Sequence, residues 1–516
     1  MKYLKSGILL IVLFIFSYCR YSGKEISLWR NGVTYEILVL SFADSDGDGK
    51  GDINGLTQKL DYIKNLGAEA VWLLPLSPSP SYHKYDVTDY YDIHPDYGSL
   101  DDFKKFIHEA HENDIKVIID LVINHTSSLH PWFLEAKSDR NSPYRDYYVW
   151  AKDEEIETQF SREEKGAFGQ NVWYRNQGDD QKYYAYFYYG MPDLNFDNPA
   201  VRNEAFKIGR YWLEEIGVDG FRLDAAKHIF PDDRSEDNQK WWVEFRKEMR
   251  KIRKDVYLVG EVMDNTEIIT PYFEGLDALF NFPAASDILD AVKNENSGKL
   301  VDNLIKTRNV YGAVSEDFLD AVFLTNHDQN RVMSVFEGNI GHAKIAASIL
   351  MTLPGAPYIY YGEELGMFGR KPDEYIREPF IWSEDVNEFQ TNWIEARYST
   401  ESTVISAEKQ LLDENSLLSH YRSLISLRKR SNTLLHGEIG RNGIKSSNIL
   451  SYFRTLGNDS LLVMHNLSEE TVEVEMQVDL SGFLHQFYSI NGTVKKSGSS
   501  VNLSPYSTAI YSNKSK

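Results

Sequence analysis

Short apolar runs recur along the chain, and the segments between them place apolar residues at helical spacing. Val33 to Phe42 reads as a first strand, and Ala70-Val71-Trp72-Leu73-Leu74-Pro75 is apolar without a break. An unbroken run of that length marks a strand buried on both faces of a parallel sheet. A helix over Ile53 to Leu66 separates the two, and the alternation then repeats. Helix Leu100 to Asn113 leads to strand Lys116 to Val122, helix Arg202 to Ile216 to strand Gly220 to Asp224, and helix Asn238 to Arg253 to strand Val256 to Val262. Strands Ala278 to Phe282 and Ala321 to Thr325 follow, and helix His342 to Leu353 precedes strand Ala356 to Tyr361. Strands alternating with helices predict an α/β protein, a (β/α)8 TIM barrel.

Two stretches break the alternation. Residues 126–197 are rich in Tyr, Trp and Gly without a helical period, and are too long for an ordinary βα loop. They predict an inserted domain after the third strand, dividing the barrel into residues 27–125 and 198–434. After a last helix, near Ser416 to Arg430, come short alternating runs: Leu461 to His465, Thr471 to Val478, Phe487 to Ile490 and Ala509 to Tyr511. With turns such as Asn491-Gly492, these predict a small antiparallel β-sandwich over residues 435–516.

The N-terminus has a different character. Lys2 and Lys5 precede an apolar run from Ile8 to Phe16 that is too short to span a bilayer as a mature helix. Cys19, the only cysteine, follows directly and resembles the lipidated cysteine of bacterial lipoproteins, although Phe16 and Tyr18 replace the usual Leu and small residue. Residues 1–19 therefore read as a lipoprotein-type signal peptide, with plain secretion as the alternative. Both routes export the chain, and one cysteine excludes an internal disulfide. A formal net charge of −22 argues against nucleic acid and anionic membranes as partners, leaving a lipid anchor at Cys19 as the membrane contact. The chain is expected to act as a monomer on a neutral substrate.

Chemistry-bearing residues cluster at two kinds of place. The first is the loop Asp44-Ser45-Asp46-Gly47-Asp48-Gly49-Lys50-Gly51-Asp52, where carboxylates alternate with glycines. Such hard oxygen ligands suit Ca²⁺, the alternative being a solvated acidic turn; no EF-hand is expected, because the Glu at its twelfth position is missing. The second is the C-terminal end of the strands, where barrels of this kind carry their chemistry. The third strand ends in Asp120, followed by Asn124-His125, and the fourth in Arg222 and Asp224. Glu261 ends the fifth, and Asn326-His327-Asp328 the seventh.

Each of these residues has a bland reading, and Arg222 with Asp224 taken alone would be a buried structural ion pair. Their convergence on one mouth favours function. Three carboxylates without a nucleophilic Cys, a Ser–His pair or a phosphate-cradling loop suit glycoside hydrolysis, which needs one ionised and one protonated carboxyl. Asp224, beside Arg222, reads as the ionised nucleophile, and Glu261, after an apolar run, as the general acid/base. Asp328 would bind substrate hydroxyls and stabilise an oxocarbenium-like transition state.

The segments DLVINHTS (Asp120 to Ser127), GFRLDAAKH (Gly220 to His228), GEV (Gly260 to Val262) and FLTNHDQNR (Phe323 to Arg331) resemble the four signature regions of the α-amylase superfamily of retaining glycoside hydrolases. The resemblance implies the same three catalytic roles for Asp224, Glu261 and Asp328. It also implies that His125, Arg222 and His327 line the subsite of the sugar being cleaved, with Tyr85 and Asp86 beside them, although Lys84 stands where Gly is commoner. For the acidic loop it implies Ca²⁺ bound by the side chains of Asp44, Asp46, Asp48 and Asp52 and the carbonyl of Lys50.

Met191-Pro192-Asp193-Leu194-Asn195 and the pair Lys227-His228 are similar to α-amylases, where Lys and His contact the sugar beyond the cleavage point. The early acidic loop and the run from Ser81 to Phe103 are similar instead to the oligo-1,6-glucosidase group. A chain with both sets resembles the intermediary α-amylases between the oligo-1,6-glucosidase and neopullulanase groups. It implies an exported enzyme cleaving internal α-1,4 links of starch-like glucans and maltooligosaccharides. The alternatives are an exo-acting α-glucosidase or transglycosylase, decided by the loops from Phe168 to Tyr189, and a non-catalytic carbohydrate-binding relative, which the presence of all three carboxylates disfavours.

Overall fold

The computed structural model describes residues 28–158, 165–384, 389–444, 446–475, 485–497 and 500–513. The proposed signal peptide and Cys19 lie outside the described residues. Eight parallel strands close into a barrel: β1 (Thr34–Ile37), β2 (Ala70–Leu73), β3 (Lys116–Leu121), β4 (Gly220–Leu223), β5 (Tyr257–Gly260), β6 (Ala278–Phe280), β7 (Leu319–Val322) and β8 (Ala356–Tyr360). β1 pairs with both β2 and β8, which closes the cylinder and leaves no edge. The strands are buried throughout, apart from Lys116 at the start of β3, which is why they read as continuous apolar runs.

The expected strands are all present, with two differences. The first apolar run is a strand only to Ile37; Val39–Phe42 forms one buried helical turn. An all-apolar run under full burial carries no period that separates strand from helix. β7 begins at Leu319, in register with Ala278 of β6, and the expected residues Phe323 to Thr325 already lie past its end. Among the described residues, two long helices were not anticipated, Phe282–Lys293 and Leu300–Val314, which together make the crossover from β6 to β7. The helix expected over Arg202 to Ile216 is an α-helix over Pro199–Arg210 continued by a π-helical turn, Tyr211–Ile216.

Between β3 and β4, strands Trp150–Ala151, Lys182–Tyr184 and Trp173–Arg175 form a small antiparallel sheet. It is tied back to the barrel where Leu194 N donates to Asn124 O at 2.9 Å and Thr126 N to Pro192 O at 3.1 Å. Past residue 435 come a five-stranded antiparallel sheet, built round Ile449–Leu456 and Asp459–Asn466, and a three-stranded one. Of the expected strand Thr471 to Val478, the described part is Val472–Glu475. Ile449, Leu462, Met464, Val474, Val501, Leu503, Ala509 and Tyr511 form the apolar core of this sandwich.

The sandwich meets the barrel at the C-terminal end of helix Ile340–Thr352, whose last carbonyls lack helical partners. Two buried arginines take them: Arg454 Nη1 donates to Thr352 O, and Arg428 Nη1 to Met351 O and Leu353 O, both at 2.9 Å. Tyr452 Oη lies 2.7 Å from Thr352 Oγ1.

Candidate active site

Arg222 organises the mouth of the barrel. Its register opposite Asp120 on β3 brings the two side chains together, and Nη1 donates to Asp120 Oδ1 at 2.7 Å and to Asp224 Oδ1 at 2.6 Å. Its other terminal nitrogen lies 2.8 Å from Glu261 Oε2. The guanidinium is 1% exposed and packs over the Trp72 ring, its carbon 5.2 Å from the ring centre. Directly after Asp224 the chain turns at Ala225, a non-glycine residue with φ +47, and Ala226 N reaches Glu261 O at 3.1 Å. A left-handed alanine is strained, and here it lies beside the carboxylates that the turn re-aims.

His327 stands on the opposite side. Its Nδ1 is 2.6 Å from Glu36 Oε1, and its Nε2 is 2.7 Å from Tyr85 Oη and 3.4 Å from Asp328 Oδ2. The Tyr85 ring stacks on it at 5.8 Å, and Tyr85 Oη donates to Asp120 Oδ2 at 3.1 Å, so both carboxylate oxygens of Asp120 are engaged. Asp328 projects into the mouth with its side chain 41% exposed, and Arg377 Nη2 holds its Oδ1 at 2.7 Å.

The remaining expected site residues frame this cluster. Asp86 accepts from Ser79 Oγ at 2.6 Å and also from Ser81 Oγ. His125 Nε2 lies 3.2 Å from Tyr85 O, and its ring lies 5.3 Å from Phe187. Lys227 pairs with Asp264, three residues past Glu261, at 2.8 Å, and His228 stacks on Tyr186 at 4.2 Å. The inserted segment thus supplies aromatic walls to both histidines.

The charges are not divided as the sequence suggests. Burial pushes both Asp224 and Glu261 up, and Arg222, touching both, draws both back without restoring the usual value. Arg222 therefore does not single out Asp224 as the ionised partner; it is shared three ways, and Asp120 is itself pushed up to about 7 by burial. Burial acts on Asp328 in the same direction, but His327, Arg377 and Arg222 outweigh it and hold this carboxyl well below the usual range. Burial depresses His327, and Asp328 and Glu36 more than reverse it. Burial outweighs the nearby carboxylates at His125 and His228, Asp86 and Asp264, and takes them down to about 4 and about 3, so they are neutral at pH 7.

The acidic loop lies against residues 389–392, with Asp44 N donating to Phe389 O and Asn392 N to Gly49 O. Carboxylate oxygens of Asp44, Asp46 and Asp48 come within 4.8 Å of one another. Gly47 and Gly49, at φ +82 and +89, let the loop curl so that the amides of Asp46, Gly47 and Gly49 bond to Asp44. Three converging carboxylates fit a hard divalent cation. Asp52 lies outside this trio: its oxygens accept from Ser45 N, Ser45 Oγ and Gly55 N, capping helix Ile53–Gln58. The Lys50 ammonium points away to Asp96 at 2.8 Å.

Sequence reasoning overlooked Glu36, Arg377, Tyr186 and Phe187. Glu36 had a signal, a lone acid inside an apolar strand; Arg377 lies in a loop after β8 that has no periodicity.

Comparison with known proteins agrees with this geometry. Residues 36–437 match the family model described as "Alpha amylase, catalytic domain", and residues 449–510 match "Alpha-amylase SusG C-terminal domain". Alpha-amylase 3 of Dictyoglomus thermophilum is 47% identical, with 93% of each chain covered. A 4-alpha-glucanotransferase of Thermotoga neapolitana is 38% identical over 84% of this chain and 96% of its own. The crystal structure of alpha-amylase from H. orenii superposes with a TM-score of 0.86 at 42% identity, covering 94% of this chain and all of that one.

Proposed function

The chain belongs to the α-amylase catalytic-domain family and is a glycoside hydrolase, and from that premise we propose that it cleaves internal α-1,4-glucosidic bonds of starch-like glucans and maltooligosaccharides with retention. The observation that carries the chemical part is the shared guanidinium: Asp224 and Glu261 sit on the two terminal nitrogens of Arg222. That makes them close neighbours, and retention calls for carboxyls about 5–5.5 Å apart, with no room for a water between nucleophile and sugar.

In the proposed reaction Asp224 attacks the anomeric carbon while Glu261 gives its proton to the leaving glycosidic oxygen. The resulting glycosyl-enzyme ester is hydrolysed by water, which Glu261 deprotonates as it arrives. Burial favours the protonated form of Glu261, as a general acid needs, but it acts on Asp224 in the same direction, so the division of roles between the two is proposed from the family resemblance. Asp328, kept ionised, takes hydroxyl hydrogen bonds from the sugar whose ring becomes cationic, and Tyr85 offers its ring as that sugar's wall. Lys227 and His228 are assigned to the sugar past the cleaved bond, an assignment their likeness to α-amylases supports. Bound Ca²⁺ would be held by Asp44, Asp46 and Asp48, with Asp52 and the Lys50 carbonyl as the further ligands proposed from the resemblance, and would neutralise the loop. Export through residues 1–19, with a lipid anchor at Cys19, is proposed from the sequence.

A second reading, transfer of the glycosyl group to another sugar, is favoured by the 38% identity to a glucanotransferase. A product time course on soluble starch and on maltotetraose separates the readings. Mixed short oligosaccharides from starch, first released as the α-anomer, support endo-hydrolysis with retention. Glucose alone from the start overturns it in favour of exo-action, and oligosaccharides longer than the maltotetraose supplied overturn it in favour of transfer.

A further inference from the structure

Glu36 has no part in the reaction as described, yet it is 1% exposed and occupies the first strand directly behind the mouth. Burying a carboxylate is costly unless it is paired. Its Oε1 takes two hydrogen bonds from one residue: His327 Nδ1 at 2.6 Å and the His327 main-chain N at 3.3 Å. The histidine is fully buried, with the Trp72 ring edge-on at 5.5 Å and its carbonyl held by Arg377 Nε at 2.9 Å.

We propose that Glu36 is a positioning residue: from behind the ring it fixes His327 so that Nε2 faces Tyr85, Asp328 and the hydroxyls of the sugar bound between them. The proposal rests on the glycosidase reading for its substrate, but the Glu36–His327 pair stands on geometry alone.

The bond made by one imidazole nitrogen sets what the other can do. A carboxylate on Nδ1 makes that nitrogen a donor. On the other side, Nε2 faces two oxygens, Asp328 Oδ2 at 3.4 Å and Tyr85 Oη at 2.7 Å, and Tyr85 has Asp120 Oδ2 at 3.1 Å to take its own proton, so Nε2 is assigned as a donor as well. Two donor nitrogens mean an imidazolium. The surroundings agree: Glu36 of β1 and the adjoining Asp328 face the ring, and Asp120, Asp224 and Glu261 arrive from β3, β4 and β5. They are opposed by Arg222 and Arg377, and the balance raises His327 despite its burial. Glu36 thus keeps a fixed cation among the carboxylates of the mouth, and Tyr85 becomes a relay from His327 to Asp120.

The test combines ¹⁵N spectra of histidine-labelled protein, in which His327→Asn identifies the ring signals, with pH profiles of kcat/KM on maltoheptaose. In the wild type both ring N–H signals of His327 should persist through pH 8. Glu36→Gln should make the ring titrate between pH 5 and 8, move the alkaline limb of kcat/KM to lower pH, and lower its maximum about tenfold, the lower end of what orienting partners behind a histidine contribute at metal sites. Glu36→Asp, which keeps the charge one methylene further back, should keep the ring charged while still lowering kcat/KM. An unprotonated Nδ1 in the wild type, or a Glu36→Gln enzyme with an unchanged pH profile and kcat/KM within about twofold, overturns the proposal. The wild-type spectrum decides even if Glu36→Gln fails to fold. It needs no substrate, so absence of activity on any glucan would refute the glycosidase reading while leaving the pair to be judged on its own.

Discussion

Replacing Glu363 by Gln should remove a pH-dependent loss of stability. Glu363 follows β8 and is 5% exposed; Oε1 accepts from Tyr421 Oη at 2.8 Å. Burial pushes it from 4.5 up to about 8, with Glu364 and Glu36 adding to the effect and Tyr421 and Arg331 opposing it. The folded value lies above the unfolded one, so the folded protein holds the proton more tightly. The stabilisation is complete below about pH 4.5 and is lost as the pH rises toward 8. Each pH unit across that window costs 1.36 kcal/mol once the unfolded group has ionised, so the wild type should lose about 3.5 kcal/mol between pH 5 and pH 8 from this group. Gln mimics the protonated carboxyl in shape and cannot ionise. The assay is urea denaturation of wild type and Glu363→Gln at pH 5, 6, 7 and 8, followed by tryptophan fluorescence, taking the difference between the proteins at each pH so that other titrating groups cancel. The variant should gain on the wild type steadily toward pH 8. A difference that stays constant within about 1 kcal/mol across the series, far below the linkage figure, would refute the account and show Glu363 to be ionised when folded.

Asp224→Asn and Glu261→Gln should each lower kcat on maltoheptaose by about a thousandfold or more while leaving the melting temperature near that of the wild type, since each removes a group that reacts; turnover close to wild type in either would remove that residue from its role. Chelation with EDTA should lower the melting temperature and Asp46→Asn with Asp48→Asn should abolish that response, because a cation bound only to the folded state stabilises it by mass action; an EDTA-insensitive wild type argues against the Ca²⁺ site. Arg377→Met frees the Asp328 carboxylate from its 2.7 Å partner and should cost about tenfold or more in kcat/KM, a charged hydrogen bond being worth roughly 1.5–3 kcal/mol; kinetics unchanged within twofold would show that Asp328 needs no clamp.

The barrel was legible because its strands, buried on both faces, are short unbroken apolar runs that alternate with longer segments of helical period, and the alternation decides what a single run cannot. The crossover helix Leu300–Val314 was not, since it buries only Leu300, Leu304 and Tyr311 and presents too narrow an apolar stripe to stand out. Strand Ile449–Leu456 was hidden for the opposite reason: it buries Arg454, a residue that pattern reading assigns to solvent. The same logic divides the site. Asp224, Glu261 and Asp328 announced themselves as polar residues ending apolar strands. Arg377 comes from irregular chain and reaches Asp328 only through tertiary structure. The three-way sharing of Arg222 was likewise beyond reach, because it depends on the register of β3 against β4 and on where the turn at Ala225 points the chain.

The two arginines at the end of helix Ile340–Thr352 bear on modularity. Burial lowers both, Arg428 to about 10, and their side-chain hydrogen bonds run to main-chain carbonyls rather than to an acid. The negative end of the helix dipole is what makes a cation tolerable there. Cutting the chain before Ile449 would remove Arg454 and Tyr452 together and leave the Thr352 carbonyl without its donor at a newly wetted apolar face. The C-terminal sheets are therefore not a cargo module that can be trimmed or exchanged at will: one of the barrel's long helices is finished by a residue that the ribosome supplies about a hundred positions later.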